Sequence, residues 1–300
     1  MKRIWLVWVF AVLAFGAWAQ HVFAADEAKP YVILVDKKTN KLHVAQYNHQ
    51  EYQILKTYNC TVGKVQGDKE EEGDLKTPEG VYFFNAFLTP PSLKAKFGVM
   101  AFYINYPNPF DVMAGHTGFD IMLHATNEPE RLKKEFDSEG CVVVNNEHIA
   151  EIKPYIKLSL SPILIFPDFT SDYKKPAADP KLDKFFKGWV EAWEARDVEK
   201  YIHHYHSGFK SGAMDKAGWK AYKANLNTRY ADIKVNPENI QYYRHPKYSV
   251  VMFIQNYQSK LKGGGWGFRS RGTKILYVAE EEGMPKIVSE NFTRLVRAAP

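Results

Sequence analysis

The sequence predicts an α+β protein of two units, a mostly-β one followed by one in which helices precede strands. Three observations lead there. From Tyr31 onward, short apolar runs alternate with polar turns, as strands do. A proline-rich polar stretch, PDFTSDYKKPAADP, then interrupts the chain as an interdomain linker would. Beyond it, apolar residues recur at helical spacing before four strand-like runs close the chain, an order that gives an α+β domain.

The chain opens MKRIWLVWVFAVLAFGAWAQ: Lys2 and Arg3, then apolar residues to Ala19, with small residues following. That is the layout of a secretory signal peptide. The apolar run falls short of the roughly 20 residues a spanning helix needs, so removal of residues 1–25 is expected, with no stable membrane insertion afterwards. Cleavage after Ala19 and cleavage near Ala24 or Ala25 both fit. The protein is then expected to work outside the cytoplasm, in the periplasm or cell envelope. Its 45% apolar and 15% aromatic content is that of a packed globular protein. Loss of Lys2 and Arg3 lowers the formal charge from +6 to +4, which suits an anionic wall or membrane surface. The basic residues are scattered and no nucleic-acid motif is present.

In the first unit, YVILV, KLHVAQ, YQILKTYNCTV, VYFFNAF, DIMLH and LSPILIF read as strands. GKVQGDKEEEGDLKTPEG, polar and glycine-rich, reads as a long mobile loop. Its EEEGD segment (70–74) is expected to be solvated, with a lid over a site as the alternative. EPERLKKEF and NNEHIAEIKPYI read as short helices. The first unit is expected over 30–168, the linker over 169–180 and the second unit over 181–297. There, Asp179 is the expected N-cap and Pro180 opens the first helical turn. Leu182, Phe185, Phe186, Trp189, Val190 and Trp193 form one helical stripe. Helices around DVEKYIHHYH and DKAGWKAYKANL follow, then the strands ENIQYYR, YSVVMFIQNYQSKL, RGTKILYVAEE and PKIVSENFTRL.

The chain has two cysteines, Cys60 and Cys141, too few for a disulfide framework. Cys60 lies on an expected strand and reads as a packed thiol, with a bridge to Cys141 as the alternative. Cys141 follows Gly140 and enters three valines. His124 ends a strand seventeen positions earlier. An imidazole makes a thiol nucleophilic by taking its proton or by pairing with the thiolate. Gly140 lets the backbone turn sharply, so that N–H groups near Cys141 face a developing oxyanion. Ser138 is placed to cap the turn. On spacing alone the pair means little.

The ordered set TPEG (77–80), YPN (106–108), GHTGFDIMLH (115–124) and SEGCVVVN (138–145) resembles the L,D-transpeptidase catalytic domain, the YkuD-type fold. The resemblance covers residues 31–167. It implies a mostly-β domain that forms a cysteine acyl-enzyme on peptidoglycan stem peptides and needs no metal or cofactor. Cys141 is then the nucleophile, His124 the base and Gly140 part of the oxyanion turn. Ser138, His116, Gly118, Ala125 and Asn145 are placed around the substrate. The chain departs from the family at three positions: Ala125 for glycine, Glu139 for histidine and Val143 for arginine. Alanine keeps the carbonyl that holds the imidazole, whereas the other two changes remove polar groups from the substrate pocket.

The second unit resembles the cone-shaped nuclear-transport-factor-two-like fold. In combination with the first it looks like the cell-shape L,D-carboxypeptidases, which trim tetrapeptide stems to tripeptides. Water capture of the acyl-enzyme gives trimming, while amine capture gives a cross-link. A non-catalytic wall-binding module is the competing class, and a depressed thiol pKa marks the enzyme. Trp189, Trp193, Trp219, Tyr222 and Tyr230 read as core facing the sheet, with a sugar-stacking cleft as the alternative. His203 and His206 lack accompanying carboxylates or cysteines and are not expected to bind metal.

Overall fold

The computed structural model describes residues 30–48, 51–169 and 179–295. The expected signal segment and residues 170–178 of the expected linker lie outside them. The first unit contains ten strands: β1 (Tyr31–Asp36), β2 (Lys41–Tyr47), β3 (Tyr52–Asn59), β4 (Val62–Gly63), β5 (Gly80–Leu88), β6 (Ala101–Ile104), β7 (Met122–His124), β8 (Phe136–Ser138), β9 (Val142–Val143) and β10 (Pro162–Phe166). Eight of them form one sheet in the order β3-β2-β1-β10-β5-β6-β7-β9, while β4 pairs with β8. Two helices, α1 (Pro109–Ala114) and α2 (Asn146–Ile152), complete the unit.

The second unit begins with α3 (Pro180–Glu194), α4 (Val198–His203) and α5 (Lys216–Arg229), with the small hairpin β11 (Lys210–Ser211) and β12 (Met214–Asp215) before α5. Asp179 caps α3 as its sequence implies, its carboxylate accepting the N–H groups of Lys181 and Leu182. A four-stranded antiparallel sheet follows in chain order: β13 (Tyr230–Arg244), β14 (Ser249–Leu261), β15 (Trp266–Glu281) and β16 (Met284–Arg294). The fold class is thus the one expected.

Three apolar layers explain why the central strands read as continuous apolar runs. Ile33, Val35, Val44, Tyr82, Phe84, Ile163 and Ile165 face one core with Ile149 and Ile152 of α2. Val32, Leu34, Tyr47, Val81, Phe83, Leu164 and Phe166 face the other way, onto Tyr243, Tyr248, Val250, Met252 and Tyr277 of the second sheet. A sheet covered on both faces loses the apolar–polar alternation. The far face of the second sheet packs on the helices through Phe186, Trp189, Trp193, Tyr201, Trp219, Val251 and Phe253. The stacked order is core, sheet, shared core, sheet, core, helices.

Trp189, Trp193 and Trp219 therefore serve as core, as expected. Tyr222 does not: it is 44% exposed at the surface of α5. Cys60 is buried in the first core, and both cysteines are free thiols. Among the described residues no helix is long and apolar enough to cross a membrane.

Candidate active site

Strands β6, β7 and β9 build the site by simple alternation. Phe102, Ile104, Leu123, Val142 and Val144 point into the first core. Ala101, Tyr103, Met122 and Cys141 gather on the opposite side with Leu93 and Phe97. β7 and β9 run parallel, with Leu123 opposite Val142 and His124 opposite Val143. Successive side chains alternate between faces, so His124 and Cys141 share the outward one. Both line an open groove of about 730 Å³.

His124 is 2% exposed, and its Nδ1 lies 2.5 Å from the Ala125 carbonyl oxygen. A carbonyl only accepts, so Nδ1 carries the proton and Nε2 keeps its lone pair. Alanine at 125 thus retains the clamp expected of it. The Phe97 ring meets the imidazole edge-on at 4.8 Å between centroids. Burial holds the His124 pKa down at about 4, against the Ala125 carbonyl that favours the charged ring, and the charges of Arg131 and Lys96 push the same way as burial. Cys141 is partly buried, 3.7 Å from the Asp120 carbonyl oxygen. Burial pushes its thiol up to about 11, with the Met122 N–H and the Arg131 charge opposing. Both shifts favour a neutral pair, and the thiol pKa is raised rather than depressed.

The turn before the cysteine departs from expectation in detail. The Gly140 N–H donates to Ser138 Oγ at 3.1 Å, and that hydroxyl donates to the Cys141 carbonyl at 2.6 Å. Ser138, 1% exposed, braces the turn through both bonds. Gly140 contributes conformation: its φ is +128°, and a Cβ there would stand 2.8 Å from the Lys76 carbonyl oxygen. The Cys141 N–H has no acceptor among the described residues. The Gly140 N–H, by contrast, is engaged by Ser138 Oγ.

One wall of the groove is the charged segment read as mobile, and it is pinned. Asp74 accepts from Lys69 Nζ at 2.7 Å and from the N–H groups of Glu70, Glu71 and Lys76. Burial would raise this carboxyl, but Lys69 and the three amides outweigh it and hold it at about 2. Glu72, Gly73 and Gly118 line the groove here. His116 and Asn145, expected near the substrate, do not line the groove. His116 sits behind the loop, its Nδ1 3.6 Å from Asp111 and 3.9 Å from Asp68. Asn145 is the N-cap of α2, accepting the His148 N–H at 2.6 Å. Ala125 acts through its backbone alone. The opposite wall brings Lys94, Lys96 and Arg131, which sequence reasoning missed.

The fold and this groove define a member of a known enzyme family. Residues 30–165 match the L,D-transpeptidase catalytic domain and residues 181–291 match the Cds6 C-terminal NTF2-like domain. Bd1075 of Bdellovibrio bacteriovorus is 33% identical over 92% of this chain and 96% of that one, with a TM-score of 0.76. The chain belongs to the L,D-transpeptidase catalytic-domain family, with the Cds6-type NTF2-like domain at its C-terminal side. The helical cell shape determining protein Pgp2 of Campylobacter jejuni shares the fold at 24% identity, covering 87% of this chain and 91% of that one, with a TM-score of 0.69. YafK of Escherichia coli K12 is 30% identical over 129 residues, 42% of this chain, and the match spans about half of YafK, 47% of its length.

A neutral pair has a measurable consequence. Alkylation of Cys141 by iodoacetamide is expected to rise about tenfold per pH unit from pH 7 to pH 10, as the thiolate fraction does below the thiol pKa. Cys60, 2% exposed with its thiol pushed up by burial to about 12, is expected to stay unlabelled in the folded protein. Labelling of Cys141 that has already levelled off by pH 7 would show a stored thiolate instead.

Proposed function

We propose that this protein is an exported, cysteine-dependent peptidoglycan enzyme that trims tetrapeptide stems to tripeptides. Cys141 Sγ attacks the carbonyl of the L-centre preceding the terminal D-residue. Its proton passes to His124 Nε2, a thioester forms, and the same proton goes to the departing nitrogen as the C–N bond breaks and D-alanine leaves. Water then attacks the thioester with His124 as base, and the thiol is regenerated. The Cys141 N–H stabilises the oxyanion in both steps.

The observation that carries this reading is the His124 clamp: Nδ1 fixed on Ala125 leaves a basic Nε2 on the groove face that also presents Cys141. The raised pKa of the thiol favours proton removal during attack over a stored ion pair. It also suits a non-catalytic wall-binding module, as do Glu139 and Val143 in place of the family's histidine and arginine. Val143 and Glu139, where family members carry arginine and histidine, lean towards water rather than an amine as acceptor.

Mass spectrometry of tetrapeptide muropeptides incubated with the protein separates these readings. Tripeptide stems are the expected product. Cross-linked dimers or exchange of added D-amino acids would make the enzyme a transpeptidase. An untouched substrate would leave the binding module.

A further inference from the structure

Arg131 belongs to the short helical segment Pro129–Lys133 and faces the groove that holds Cys141 and His124. Its Nε donates to Asp137 Oδ2 at 2.8 Å and its Nη2 to the Asp137 carbonyl at 3.1 Å. A guanidinium has five N–H donors, so three stay available while the head group is fixed in place. The charge of Asp137 is shared with Lys134 at 3.4 Å, so this corner keeps a net positive charge. Lys96 adds to it, its Nζ 5.0 Å from the centroid of the Phe97 ring that abuts His124. Glu128 also lines this wall, while Asp120 and Glu139 line the groove nearer the cysteine.

Chemistry fixes which end of a substrate meets this corner. His124 must hand its proton to the leaving nitrogen, so the departing residue lies on the histidine side of the thiol. In a stem ending one residue past the scissile bond, an α-carboxylate sits two bonds from that nitrogen. We propose that Arg131, held by Asp137, forms with Lys96 a carboxylate subsite that takes the terminal α-carboxylate of the residue being released. The subsite rests on reading Cys141 and His124 as nucleophile and base, and it makes the enzyme read the chain end. A longer or amidated stem places an uncharged amide against Arg131 and leaves the cations unpaired, which sites built for one charged group reject.

The test pairs a synthetic stem tetrapeptide with its C-terminal amide. With the wild-type full chain, kcat/KM for the acid is expected to exceed that for the amide by about tenfold to a hundredfold, the range of a charge-assisted hydrogen-bonded contact. Arg131→Gln is expected to collapse that ratio towards one, mainly through KM for the acid, and Arg131→Lys to recover part of it. The same ratio is then read as binding by calorimetry on Cys141→Ala, which needs no turnover. Acid preferred over amide, with the preference lost when Arg131→Gln is added, supports the subsite even if the catalytic reading fails. Equal binding of the two ligands to Cys141→Ala overturns it. So does an acid-to-amide ratio that survives Arg131→Gln.

Discussion

Replacing Cys141 with alanine is expected to lower turnover of stem tetrapeptides by about 10⁴-fold or more, and His124→Gln by a similar factor. In the proposed mechanism the two groups act in one proton-transfer step. With its thiol near 11, Cys141 carries almost no thiolate at neutral pH unless His124 Nε2 takes the proton during attack. Without the base, the thiol attacks only through that small fraction. Without the thiol, the imidazole has no nucleophile to activate. The double variant is therefore expected to be no slower than the worse single one, which kinetic measurement on all three proteins checks. Cys141 is partly buried and lines the groove, and alanine removes only its sulfur, so the melting temperature should stay nearly as it was. Residual activity above about one per cent in Cys141→Ala would rule the nucleophile out.

Cys141 and His124 were legible as candidates because alternation, a terminal strand histidine and a Gly-Cys turn all leave traces in short sequence. The rest of the site depends on contacts that sequence spacing does not record. Arg131 reaches the groove only because Asp137, six residues on, grips it from β8. The charged segment 63–80 looks mobile by composition, yet Asp74 collects one ammonium and three amides and pins its centre. Two helix starts carry their own signals in the sequence. Asn145 stands just before an apolar helical pattern, where an N-cap belongs. Asn108-Pro109-Phe110-Asp111 is likewise a capping box, and α1 starts there. Strand β6 went unseen for another reason: its four residues are too short a run to show a period.

Tyr248→Ala is expected to cost about 3–5 kcal/mol, the range for deleting a buried aromatic ring, and to separate the unfolding of the two units. The residue is 4% exposed in the turn between β13 and β14, yet its hydroxyl's partners belong to the first unit. Its hydroxyl accepts the Val81 N–H at 2.8 Å and an Asn108 Nδ2–H at 2.5 Å, and it donates to the Val81 carbonyl at 3.1 Å. The ring stacks on Phe110 at 4.4 Å. Gly80 makes room for it, since a Cβ there would stand 2.5 Å from the hydroxyl. Around it, Tyr47 accepts the Tyr242 N–H, Asn105 donates to Tyr277, and Lys247 pairs with Asp68 at the root of the groove wall. Each unit therefore completes a core that the other leaves open, and a single calorimetric transition is expected for the wild type. Tyr248→Phe keeps the ring but strands the Val81 N–H and leaves the Asn108 amide only its bond to the Val81 carbonyl, for about 1–3 kcal/mol. Two transitions in the wild type, or a Tyr248→Ala protein that melts like it, would mean that the units merely touch. One wild-type transition that splits in Tyr248→Ala would mean that the second unit helps to hold the sheet on which Cys141 and His124 stand.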